Sequence, residues 1–187
     1  MTTFLFSGHL MDRPDRAAAR FPPAMEPAAA AAIAAALDRH GASAGDIAFS
    51  QAASGGDLLF LEACAERGVR RRILLPFDIA TFEQTSVRPS LDGERWVERY
   101  RRALAAPGAA VQDMPTALGP LADGRDPYEA CNRWLVDEAL AHASGALCFI
   151  CLWNGDGPEG PGGTAHMVAE VGAHGGLIEH IDTRLLV

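Results

Sequence analysis

Apolar and mixed-polarity segments alternate along this chain with the rhythm of a wound α/β sheet. The strongest apolar run is Ala146 to Leu152; shorter ones lie at Thr3 to Phe6, Asp46 to Ser50, Arg72 to Leu75 and Leu177 to Ile181, with a weak one at Ala109 to Gln112. Runs of this length with turn residues at their ends predict buried strands. Between them lie helical patterns. An alanine-rich stretch from Pro27 towards Gly41 carries Ile33 and Leu37 one turn apart, so its inward face is thin and packs closely. A second helix is predicted from about Gly55 to Arg67, capped by Ser54 and closed by Gly68. A third, Gly93 to Ala105, turns Trp96, Val97, Tyr100 and Leu104 inward. Asp126 and Pro127 open a long helix to Ala143, and another runs from Ala165 to Ala173. The stretch Thr81 to Asp92 is polar, and Asp113 to Asp126, rich in Pro and Gly, reads as a loop.

The resulting order, β-α-β-α-β-α-β-α-β-α-β, predicts one Rossmann-like domain over residues 1–187, a doubly wound and mainly parallel sheet with helices on both faces. Such sheets bind ligands outside the carboxyl ends of their strands, at the point where the winding reverses. Four loops fall at predicted strand ends: Ser7 to His9, Gln51 to Asp57, Pro76 to Asp78 and Trp153 to Thr164. They are expected to converge on one crevice. Two are glycine-rich and lead into helices, which suits an anion: glycine lets the backbone approach a ligand, and a helix N-terminus offers free N–H groups and partial positive charge. A nucleotide or another phosphate-bearing ligand is expected.

Composition narrows the chemistry. All 16 basic residues are Arg, so no lysine can serve a Walker A loop, a Schiff base or general-base catalysis. A net charge of −8 disfavours duplex nucleic acid as a partner. The triplet Arg70 to Arg72 is read as a solvated strand entrance. No apolar run approaches the roughly 20 residues that span a bilayer, and the N-terminus carries no charged n-region, so no membrane partner and a cytoplasmic location are expected. Cys64, Cys131, Cys148 and Cys151 are read as reduced thiols. Cys148-Phe-Ile-Cys151 lies in a strand pattern, where i and i+3 face opposite sides, so it is read as core and not as a redox pair. The six His are too dispersed for a zinc signature.

Ala48-Phe-Ser-Gln-Ala-Ala-Ser-Gly-Gly-Asp57 with the helix after it resembles the Gly-x-x-x-Gly-x-Asp plus helix segment of the SMF/DprA–LOG (SLOG) superfamily. Ser7-Gly8-His9 is similar to that family's first-strand turn, and Pro161-Gly162-Gly163-Thr164 to the Pro-Gly-Gly-x-Gly-Thr loop of its LOG branch. The resemblance implies a Rossmann-like fold that binds nucleotides or nucleotide-derived ligands, in a bacterial sensor or signalling role; a homo-oligomer is expected. It also implies a catalytic Glu three residues after Gly-Thr, and here Met167 stands at that position. Glu170 lies a further turn along. Little phosphoribohydrolase activity is therefore expected.

The expected ligand contacts are Ser7, Gly8, His9, Ser54, Gly55, Gly56, Asp57, Asp78, Asn132, Trp153, Gly162, Gly163 and Thr164. Each has a plainer reading. Gly162 to Thr164 form a phosphate loop or a structural turn. Asp57 accepts ribose hydroxyls or charges a helix N-terminus, and Asp78 is a further ribose ligand. Asn132, with Tyr128 one turn before it, reads a base or is a satisfied polar group. Trp153 stacks on a base or packs in the core. Against the sensor stands an enzyme that cleaves an N-glycosidic bond, with carboxylates drawn from Asp57, Asp78 and Glu170. A single-stranded DNA-binding protein is a weaker third reading, since the acidic balance and the lack of Lys count against it.

Overall fold

Strand pairing in the computed structural model, which describes residues 1–145, 147–156 and 163–186, runs through one sheet. Its strands are β1 (Thr3–Gly8), β2 (Ile47–Ser50), β3 (Arg70–Leu75), β4 (Ala109–Asp113), β5 (Leu147–Trp153) and β6 (Leu177–Asp182). They stand in the order β4-β3-β2-β1-β5-β6, and every pair is parallel. The chain winds outward from β1 to β4, then crosses back to lay β5 on the other side of β1. The winding therefore reverses between β1 and β5. This is the Rossmann-like, doubly wound α/β architecture.

Side-chain alternation explains why both faces are covered. Phe4 and Phe6 point into one core with Cys148, Ile150 and Leu152; Leu5 points into the other with Phe49, Phe149 and Cys151. The first face is roofed by α1 (Glu26–Arg39), α2 (Gly56–Glu66) and, after the short α3 (Ile79–Phe82), by α4 (Gly93–Ala105). The second face, after the short α5 (Met114–Leu118), is roofed by α6 (Pro127–His142) and α7 (Thr164–Ala173). Ile33 and Leu37 are fully buried, each contributing about 1.5–3 kcal/mol of hydrophobic transfer. Cys148 and Cys151 lie on opposite faces as predicted, and burial pushes both thiols up to about 12.

Three local expectations are corrected. Ser54 does not cap α2. Gly55 occupies the N-cap position with φ +96°, and the Ser54 hydroxyl bonds Ser90 and donates to the Ser86 carbonyl at 3.3 Å. The loop expected over Asp113 to Asp126 opens with the helix α5, capped by Asp113, which accepts from the Thr116 N–H at 2.9 Å. In the polar segment after β3, Asp78 caps α3, accepting from the Thr81 N–H at 2.9 Å, and a π-helical turn, Glu83–Val87, follows. Burial of Phe82 and Val87 draws that segment onto the core. Within Arg70–Arg72, Arg71 is buried and donates to the Pro107 carbonyl, so it belongs to the sheet and not to a solvated entrance.

Candidate functional site

A cleft of about 400 Å³ opens over the carboxyl ends of β1, β2 and β5, where the winding reverses. Ser7, Gly8 and His9 from the end of β1 line it, with Asp57 from α2. Trp153 from β5 and Gly163 and Thr164 at the start of α7 close one side; Asn132 and Tyr128 of α6 close another. Eight of the expected contacts thus share one cavity.

Others do not. Asp78 is exposed and spent on capping α3. Ser54, Gly55 and Gly56 lie behind the cleft wall, and the Pro76 to Asp78 loop does not reach the cavity, so three of the four strand-end loops meet there. Gly162 lies outside the described residues. Gly55 serves the chain: a Cβ there would sit 2.5 Å from the Met11 nitrogen and 2.8 Å from the His9 carbonyl oxygen. Its close approach lets the Gly56 N–H donate to the His9 carbonyl at 3.1 Å and the Met11 N–H to Ser54 at 3.0 Å. The glycines of this loop thereby fold the end of β1 over α2.

Polar links cross the cleft floor. The Ser7 and Thr164 hydroxyls lie 3.1 Å apart, and Gln51 Nε2 donates to Asn132 Oδ1 at 2.9 Å. Tyr128 and Ser86 hydroxyls meet at 2.8 Å, which ties α6 to the π-helical turn. Trp153 is half-buried, its ring tilted against His180 at 5.6 Å.

Two titratable groups in the cleft are displaced from their ordinary values in opposite directions. Burial pushes the Asp57 carboxyl up to about 7, against the pull of the Ala53 N–H and the Ser50 hydroxyl. Burial first, and then the positive charge of Arg20, lowers His9 to about 4. The Asn154 N–H donates to His9 Nε2 at 3.1 Å, so the neutral ring carries its proton on Nδ1. Near pH 7 the imidazole is uncharged and the carboxyl is close to half-protonated.

Sequence reasoning missed the charge of this site. Arg13, Arg16 and Arg20, all from the segment between β1 and α1, line the cleft and are its cationic side chains among the described residues. Asp12 shapes that segment. Its Oδ2 accepts from the backbone N–H groups of Arg20 at 3.0 Å and Phe21 at 3.1 Å, and its Oδ1 pairs with Arg16 Nε at 3.3 Å. Arg13 reaches across to the Thr85 carbonyl at 3.1 Å. The one signal on offer was the spacing Asp12-Arg13-x-x-Arg16-x-x-x-Arg20, which begins four residues after the strand-end Gly8.

Of the three candidate carboxylates only Asp57 faces the cleft. Glu170 lies outside the cavity wall on α7, 3.6 Å from His166 and 4.0 Å from Arg133. Met167, at the position where the resembling family carries its acid, is buried among Leu135, Phe149 and Val171 with an edge on the cavity. Among the described residues no group of three or more His, Cys, Asp or Glu lies close enough to hold a metal ion. No described helix is long and apolar enough to cross a membrane.

No protein-family model matches the chain, and no curated protein does. Among solved structures it is similar to the Moco carrier protein from Chlamydomonas reinhardtii, with 13% identity over 97% of this chain and 90% of that one and a TM-score of 0.36. A likeness that loose says nothing about the chemistry of this cleft.

Proposed function

We propose that the protein binds a nucleotide or phosphorylated nucleoside in this cleft and acts as a sensor or signalling domain of SLOG type. The observation that carries the reading is a mismatch of charge. The chain as a whole is at −8, yet its strand-end cleft is lined by three arginines, one neutral imidazole and one carboxyl held up near 7. Low-dielectric walls focus such a field on an anion. The start of α7 at Gly163 and Thr164 adds backbone N–H groups for phosphate. The amides of Gln51 and Asn132 and the ring of Tyr128 suit the neutral part of a nucleoside. A thermal-shift screen of nucleotides against their parent nucleosides tests this: a ligand at 100 times its Kd stabilises the fold by about 2.7 kcal/mol. If nucleosides and nucleotides at millimolar concentration alike leave the melting temperature unmoved, the reading fails.

One observation favours a second reading. A buried carboxyl poised near 7 is what a general acid requires. An N-glycosidic-bond-cleaving enzyme would use Asp57 in that role, although the described cleft residues offer no second carboxyl about 5–9 Å away, as two-carboxylate mechanisms need. Release of free base from nucleoside monophosphates at about 1–1000 per second, abolished by Asp57→Asn, would replace the sensor with this enzyme.

A further inference from the structure

The segment between β1 and α1 is built as a clasp. It leaves β1 at His9, bridges back to α2 through Leu10 and Gly55, and is pinned at its far end by the Asp12 carboxylate and by an Asp12 N–H donating to Phe21 at 3.0 Å. Arg13 anchors it to the π-helical turn through Thr85. A short loop so tied holds its arginines in fixed places, and all three of them face the cavity.

Two of them sense each other's charge. Arg20 is held below the ordinary guanidinium range, first by burial and then by the charge of Arg16, with Asp12 and Asp156 pulling the other way. The same two arginines act on His9. Asp12, one of the two carboxylates within the segment, pairs with Arg16 and accepts from two backbone amides. Three guanidiniums lining one cavity attract an anion with several negative charges more strongly than one with a single charge. A single phosphate seated at Gly163 and Thr164 would satisfy the α7 end of the cleft and leave the clasp unused.

We propose that Arg13, Arg16 and Arg20 form a phosphoanhydride clamp, so that the cleft takes nucleoside di- or triphosphates in preference to monophosphates. This rests on the nucleotide reading above. The shared chemistry is a chain of linked phosphates, and the sources are a nucleotide or free polyphosphate. Guanidinium groups suit it because each presents several N–H donors in a fixed fork.

Calorimetric titration of adenosine and guanosine mono-, di- and triphosphates and of inorganic tripolyphosphate, into wild type and into Arg13→Gln, Arg16→Gln and Arg20→Gln, tests the clamp. The triphosphate of the preferred base is expected to bind at least about 10-fold more tightly than its monophosphate, the scale of one added charge-assisted hydrogen bond. Arg16→Gln is expected to erase most of that difference, weakening triphosphate binding about 10-fold more than monophosphate binding, and to flatten the salt dependence of triphosphate binding. Arg13→Gln, at an exposed position, repeats the test if Arg20→Gln melts early. Equal affinity for all phosphate lengths, or an equal loss for all of them in Arg16→Gln, overturns the clamp while nucleotide binding stands. Binding of tripolyphosphate but of no nucleotide, lost in Arg16→Gln, keeps the clamp and overturns the nucleotide reading.

Discussion

The β2–α2 and β5–α7 loops read alike in the sequence: a strand, a glycine pair, a helix. In the folded chain they do different things. The glycines of the first loop are packed against the end of β1, and it is Gln51, Ala53 and Asp57 that the loop brings to the cleft. The second loop brings Trp153, Gly163 and Thr164 directly to the cavity. A glycine before a helix therefore has two uses, close approach of a ligand and close approach of another piece of backbone, and the flanking residues do not distinguish them.

The sharpest way to break that comparison is to enlarge a glycine in each loop. Gly55→Ala puts a Cβ onto the Met11 nitrogen at a residue whose φ is +96°. The expected loss of stability is roughly 3 kcal/mol or more, from backbone strain and overpacking together. Chemical denaturation reads it directly, and an unshifted midpoint would mean that Gly55 has no packing role. Gly163→Asp should behave in the opposite way. Its φ of −73° and ψ of 165° suit any residue, and Asp is a favoured N-cap. The fold is expected to survive with its melting temperature within a few degrees, while affinity for phosphorylated ligands drops about 100-fold or more as a carboxylate meets the anion. Unchanged affinity in the folded variant would remove Gly163 and Thr164 from the phosphate site.

A second comparison lies inside the cleft, between Asp57 and His9. Asp57 is raised from its unfolded value, so it contributes stability that is complete below about 4 and is lost as pH rises through about 7. Cys131 of α6 is the neighbouring thiol that faces it, and it stays protonated. His9, faced by Arg20, Arg16 and Asp12, is lowered, so its contribution is complete above about 6.5 and is lost as pH falls towards 4. Between pH 4 and 6.5 the two slopes oppose each other, and the wild-type melting temperature should be nearly flat. His9→Asn is expected to expose the Asp57 slope, stability falling as pH rises; Asp57→Asn exposes the His9 slope with the reverse sign. Each slope is bounded by about 1.4 kcal/mol per pH unit for one proton. Two single variants with the same sign of slope would show that one of the two groups is not displaced as described.

The sheet and its windings were legible because strand and helix periodicity depend on which faces are buried, and that is written in Phe4, Phe6, Ile150 and their partners. The pairing of Ser7 to His9 with Asp57, Trp153 and Thr164 followed from strand-end position, whereas Asn132 was singled out on the long helix with Tyr128 one turn before it. Three things were not legible. Asp78 looked like a ribose ligand, yet local geometry turned it onto Thr81, because an Asp three residues before a hydroxyl caps a turn wherever it falls. Gly55 and Gly56 carried the mark of a ligand loop because sequence does not state what approaches a glycine. The arginines of the clasp drew no reading as ligand contacts, because their direction depends on Asp12 binding the backbone of Arg20 and Phe21, a contact within the loop that no periodicity encodes.

The smallest expected effect concerns what joins the two glycine loops. Both touch the end of β1: the first through the Gly56 N–H on the His9 carbonyl, the second through the hydroxyls of Ser7 and Thr164. The Ser7–Thr164 bond at 3.1 Å is part-buried, so removing it should cost about 0.5–1.5 kcal/mol. Ser7→Ala and Thr164→Val each remove one partner, and together they remove both. If the bond is the main interaction, the double variant should be barely less stable than either single one, leaving a coupling energy of about 1 kcal/mol. Ligand affinity should fall only slightly in Ser7→Ala, since the backbone N–H groups at the start of α7 are untouched. Strictly additive losses in the cycle would mean that the β5–α7 loop stands independently of β1. The two loops would then share a cavity without sharing a support, and ligand contact at Thr164 would leave the β1–α1 arginines unaffected.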